Sequence, residues 1–107
     1  MSKRGMMDQF TDIKTEHPDS VLFFRMGDFY ELFHEDAVTG SEVLGLALTS
    51  RDKKADKPIK MAGFPWHALE DNIRTMLKAG HKVTVAEQEK ELREGAKLLE
   101  RVVTRVY

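Results

Sequence analysis

Leu22-Phe23-Phe24-Arg25-Met26-Gly27-Asp28-Phe29-Tyr30-Glu31-Leu32-Phe33 is an apolar run, a Gly-Asp pair and a second, alternating run. Val21 to Phe24 are consecutive, β-prone and bounded by turn chemistry, which predicts a buried strand over 20–27. Gly27-Asp28 favours a tight hairpin, with 29–33 as the return strand. Side chains alternate faces along a strand, so Phe29 and Glu31 share one face while Tyr30 and Leu32 share the other. With Tyr30 and Leu32 turned inward, Phe29 and Glu31 point out. An exposed phenylalanine beside a carboxylate at the mouth of a turn suggests a probe. The flat ring inserts or stacks, and the polar neighbour reads what it touches. On residues alone, Phe29 as a cap on the edge of the core is an equal alternative.

Working outward, Met6, Phe10 and Ile13 fall at helical spacing over 5–16, and Pro18 stops the helix. A second, weaker helix runs from Glu35 to Leu44, interrupted by Gly40 and Ser41 and capped by Gly45. Leu46-Ala47-Leu48-Thr49 reads as a short strand, 50–58 as an exposed loop, and Ile59 to Phe64 as a strand entering Pro65. The clearest helix is 66–79, with Trp66, Leu69, Ile73, Met76 and Leu77 on one face. In that reading Trp66 anchors the core and Gly80 closes the helix. Val83 and Val85 mark a fifth strand. Residues 88–97 are densely charged and read as a solvated connection or a frayed helical turn. Val102, Val103 and Val106 mark a final strand. The order α-β-β-α-β-β-α-β-β predicts an α/β (α+β-like) fold in a single domain over 1–107, a mixed sheet of about six strands flanked by about three helices.

Composition narrows the function. The 107 residues contain no cysteine, which excludes disulfides and thiolate metal sites. No apolar run approaches ~20 residues and no signal-peptide pattern opens the chain, so the expected location is cytoplasmic, with no membrane partner. His17, His34, His67 and His81 stand at no metal-ligand spacing, so no metal is expected. No G-x-x-x-x-G-K-[ST] motif is present. The net charge of −1 gives no global attraction for a polyanion. Locally, Arg51, Lys53, Lys54, Lys57 and Lys60 outnumber Asp52 and Asp56, which leaves a segment of +3. Such a run is usually only a solvated surface.

The central stretch also carries a resemblance. Arg25-Met26-Gly27-Asp28-Phe29-Tyr30-Glu31-Leu32-Phe33 resembles the Phe-x-Glu region of the MutS family of DNA mismatch-repair proteins. Met6-Met7-Asp8-Gln9-Phe10, Glu16-His17-Pro18, Leu46-Ala47-Leu48-Thr49, Met61-Ala62-Gly63-Phe64-Pro65-Trp66-His67-Ala68 and Val85-Ala86-Glu87-Gln88 resemble further blocks of that family's N-terminal domain, in the same order. A lone Phe-x-Glu would carry little; this match covers nearly the whole chain.

The resemblance implies a DNA mismatch-recognition module. Phe29 would enter the minor groove of kinked DNA and stack on a mispaired or unpaired base, and Glu31 would hydrogen-bond that base. A mismatch is cheaper to unstack and bend than a paired step, so such a module reads instability rather than sequence. Met26 would pack beside the displaced base. Arg51, Lys53, Lys54 and Lys57 would contact phosphates, Gly27 and Asp28 would form the turn, and Gly63 would let backbone approach a phosphate closely. The implied partners are double-stranded DNA with mismatches or small insertion/deletion loops, the remaining domains of the parent protein and its second subunit. The ATP and magnesium of that parent would lie outside this chain, which is expected to hold no cofactor, to be non-enzymatic alone and to be a fragment of a longer protein. Two other readings compete: a metal-dependent nuclease using Asp28, Glu31 and Glu87, and a protein-interaction domain anchored on Phe29.

Overall fold

The strand–turn–strand at the centre of the sequence is also the centre of the sheet. The computed structural model describes residues 5–51, 56–89 and 100–107. The elements are α1 (Met6–Glu16), β1 (Ser20–Met26), β2 (Phe29–Phe33), α2 (Glu35–Leu44), β3 (Thr49–Arg51), β4 (Ile59–Pro65), a 3₁₀ turn (Trp66–Ala68), α3 (Leu69–Lys78), β5 (Lys82–Gln88) and β6 (Arg101–Val106). They form one six-stranded sheet in the order β3-β4-β2-β1-β5-β6. β1 and β5 run parallel, and every other neighbouring pair is antiparallel. This is the expected mixed α/β architecture.

The two sheet faces are covered unequally. On one, Val21, Phe23, Tyr30, Leu32, Ala62, Phe64, Val83 and Val85 are buried beneath Ala37 of α2 and Leu69, Ile73 and Met76 of α3. The fit of α2 is close: a Cβ on Gly40 would stand 2.8 Å from Leu32 Cδ2, so the glycine that weakens this helix in isolation is what lets it pack. On the other face, Leu22, Phe24, Phe33 and Ala86 are buried against Phe10 of α1. The Phe10 ring meets Phe33 and Phe24 edge-to-face, with centroids 5.1 and 5.6 Å apart. A polar joint locks α1 and α2 to β1: Asp36 accepts from Lys14 Nζ at 3.0 Å and from the buried Leu22 N–H at 3.0 Å.

Four expectations are corrected. Leu46–Leu48 are not a strand; the pairing partners on β4 are Ile59 to Met61, and they take Thr49 to Arg51. Leu46 instead packs against the core, while Leu48 is left exposed. Arg51 therefore stands in a strand rather than a loop. Trp66 is not a core anchor: the helix proper starts at Leu69, and the indole is 53% exposed. The Trp66 N–H bonds the Asp28 carbonyl at 2.8 Å, which holds this residue at the end of the sheet, beside the hairpin turn and past the surface α3 covers. Gln88 belongs to β5 rather than to a solvated connection; residues 90–99 lie outside the described residues. Among the described residues no helix is long and apolar enough to cross a membrane.

Candidate nucleic-acid interface

The hairpin is built by its two turn residues. Met26 pairs with Phe29, leaving only Gly27 and Asp28 to reverse the chain. Gly27 has φ +62°, and Asp28 is not among the residues of positive φ. A glycine of positive φ at the first of two turn positions is the type II′ pattern, whose twist matches that of the flanking strands. Strand parity then sorts the side chains: Tyr30 is 2% exposed and its neighbour Phe29 is 45% exposed. Phe29 and Glu31 lie on the α1 face, beyond the area the helix reaches. Met26 lies on that face too, half-buried against the Phe10 cluster.

Glu31 is seated by a gap in the opposite strand. Its cross-strand partner is Gly63. A Cβ at Gly63 would stand 2.7 Å from the Glu31 carboxyl carbon and 2.8 Å from Oε1. The space that the sequence offers to an approaching phosphate is thus occupied by the Glu31 carboxyl. Partial burial pushes the Glu31 pKa up, and the nearby Arg51 charge pulls the other way without cancelling it. The result is a half-buried carboxyl whose protonated, hydrogen-bond-donating form persists to higher pH than usual.

Beneath the hairpin, on the opposite face, a polar group that sequence reasoning overlooked ties Tyr30 down. The Tyr30 hydroxyl donates to Glu87, and Arg25 Nη1 reaches both Glu87 Oε1 and the Tyr30 hydroxyl at 3.3 Å. Burial and the Glu87 hydrogen bond push the Tyr30 phenol up to about 12. Glu87 is therefore committed to Tyr30 and Arg25, while Glu31 lies on the other side of the sheet. The acidic trio of the nuclease reading does not converge. Among the described residues no three His, Cys, Asp or Glu side chains are grouped to hold a metal. In the sequence Arg25 and Tyr30 fall in the central block and Glu87 in Val85-Ala86-Glu87-Gln88; that they meet follows from the parallel β1–β5 pairing.

The cationic candidates divide. Arg51 is half-buried on the same face as Glu31, whereas Lys57 and Lys60 are exposed. Lys53 and Lys54 lie outside the described residues. The structure brings Met26, Phe29, Glu31, Gly63 and Arg51 to one face, with Gly27 and Asp28 at its rim.

Fold and site together define a class of module: an α/β domain that displays a hairpin-borne aromatic and a carboxyl on the half-covered face of its sheet. The chain belongs to the MutS domain I family, whose model matches residues 4–107. It is similar to proteins named DNA mismatch repair protein MutS. That of Lawsonia intracellularis is 47% identical over 102 residues, covering 95% of this chain and 11% of the relative. That of Streptococcus suis is 50% identical over 100 residues, covering 94% and 12%. That of Streptococcus equi subsp. equi is 48% identical over 100 residues, again covering 94% and 12%. The chain thus spans about a tenth of the length of these relatives.

Proposed function

We propose that this chain is the mismatch-sensing module of a mismatch-repair protein. It inserts Phe29 into the minor groove of kinked duplex DNA, stacks it on a mispaired or unpaired base and offers that base the Glu31 carboxyl. The observation that supports this most directly is the contrast between Phe29, 45% exposed, and Tyr30, 2% exposed, on one short strand. On the α1 face a ring of that size is left in water where the helix does not reach. Stacking on a base contributes ~1–3 kcal/mol and tolerates any sequence. Glu31 sharpens the choice, because its charge is repelled by phosphates wherever no displaced base donates an N–H to the carboxylate or accepts from its protonated form.

On this reading the module carries out no chemistry itself. ATP and magnesium act elsewhere in the parent protein, and a second subunit and further domains supply the grip on DNA that a net charge of −1 does not. Met26 lines the base, and Arg51, Lys53, Lys54 and Lys57 contact phosphates. The test compares one duplex with and without a single unpaired thymine, at low salt, for the wild-type chain and Phe29→Ala. Preference for the bulged duplex that disappears in Phe29→Ala supports the reading. Equal binding of both duplexes by the wild-type chain overturns it.

A further inference from the structure

A two-residue hairpin closes through its own ladder bonds, and the outward peptide groups of its turn are ordinarily left to water. Here three of these groups, both of Gly27 and the carbonyl of Asp28, are taken up. The Gly27 N–H donates to Gln88 Oε1 at 2.6 Å. The Gly27 carbonyl accepts from Arg25 Nε. The Asp28 carbonyl accepts from the Trp66 N–H at 2.8 Å. Gln88 lies at the end of β5 and Trp66 just past β4, so these tethers approach the turn from the two strands that flank the hairpin. The Arg25 tether is itself fixed. Its guanidinium lies over the Tyr30 ring, 5.2 Å from the centroid, and reaches Glu87 at 3.3 Å. Arg101 Nε in turn donates to the Arg25 carbonyl at 3.0 Å.

An exposed turn needs none of this to fold. Such bracing matters where the position of the tip matters, because a group already held in its binding pose loses less freedom on contact. We infer that Gln88, with Arg25, is a positioning residue that fixes the Gly27-Asp28 turn and so aims the adjacent Phe29 ring; this rests on the proposed role of Phe29. The function of Gln88 is to accept one backbone hydrogen bond, so a glutamate in its place keeps the tether and an alanine removes it.

The experiment uses this chain with Gln88→Ala and Gln88→Glu. It measures hydrogen exchange at the Gly27 and Val85 amides, and low-salt binding to duplex with and without one unpaired thymine. For Gln88→Ala the expected results are faster exchange at Gly27 with Val85 unchanged, and a preference for the bulged duplex reduced by about fivefold, the worth of one hydrogen bond. Gln88→Glu should keep both the Gly27 protection and the preference, with affinity for both duplexes lowered by its charge. Unchanged Gly27 exchange in Gln88→Ala overturns the tether. Faster exchange with undiminished preference overturns the positioning role while leaving the role of Phe29 intact. A wild-type chain without preference, its Gly27 amide protected all the same, overturns the role of Phe29 and with it the purpose given to the tether. Loss of preference in Gln88→Glu as severe as in Gln88→Ala overturns the assignment to hydrogen-bond acceptance.

Discussion

The two faces of the sheet use the same kinds of residue to opposite ends. On the face under α2 and α3, Phe23, Phe64 and Tyr30 pack against one another, with Phe23 and Phe64 edge-to-face at 5.0 Å and Tyr30 stacked on Phe64 at 5.6 Å. On the face under α1, three phenylalanines gather around one end, and the fourth aromatic, Phe29, stands outside their reach. One helix covers what two cover on the other side. The difference teaches that exposure of Phe29 is a matter of coverage: the strand pattern alone would allow it to be buried, as it buries Phe33 two pairs further along.

Breaking that coverage should have the largest effect. Phe10 is the buried aromatic of α1 on its face, so Phe10→Ala should destabilise the fold by roughly 3–5 kcal/mol, read as a shift of the urea midpoint. The same truncation outside the covered area should cost little. Phe29→Ala should change stability by no more than ~0.5 kcal/mol and lower affinity for bulged duplex by ~1–3 kcal/mol, measured by titration. A stability loss at Phe29 comparable to that at Phe10 would show the two ends of the face to be alike and would return Phe29 to the core.

A third substitution sharpens the comparison through pH. Because the Glu31 pKa is raised by burial, its favourable contribution is complete below the ordinary glutamate value, about 4.3, and is lost as pH rises through the folded-state value. Glu31→Gln should therefore be more stable than wild type at neutral pH, with the gap closing below about pH 4; thermal melts across that range check the sign. The same variant should gain affinity for matched duplex more than for bulged duplex. The smallest effect concerns the basic segment. Neutralising Lys53 and Lys54 should weaken binding to both duplexes alike and reduce the slope of log affinity against log salt by roughly 0.9 for each phosphate that is no longer neutralised.

Much of this was legible in the sequence because it is local. Gly27-Asp28 fixes the hairpin, and the parity of 29–33 then sorts Phe29 from Tyr30 with no knowledge of the rest of the chain. Features that depend on distant pairing were not. The seat of Glu31 requires Gly63, across the sheet and in a segment whose glycine reads equally well as room for a phosphate. The tether on Gly27 requires Gln88, which opens a charged stretch and so reads as solvated. Trp66 continues the apolar stripe of α3 without a break in the sequence, but a 3₁₀ turn holds Trp66–Ala68 and the helix begins three residues later. Leu46-Ala47-Leu48 has strand composition, but β4 offers its partners to Thr49–Arg51.

The doubly flanked turn has a mechanical consequence. A hairpin that projects freely behaves as a cantilever, and a sideways load at its tip is relieved by bending at the root. Here the tip is propped from β4 on one side and β5 on the other, so a load on Phe29 is shared at once by the inner strands of the sheet. A domain of this build would answer such a load by moving as one body rather than by bending at the root of the hairpin.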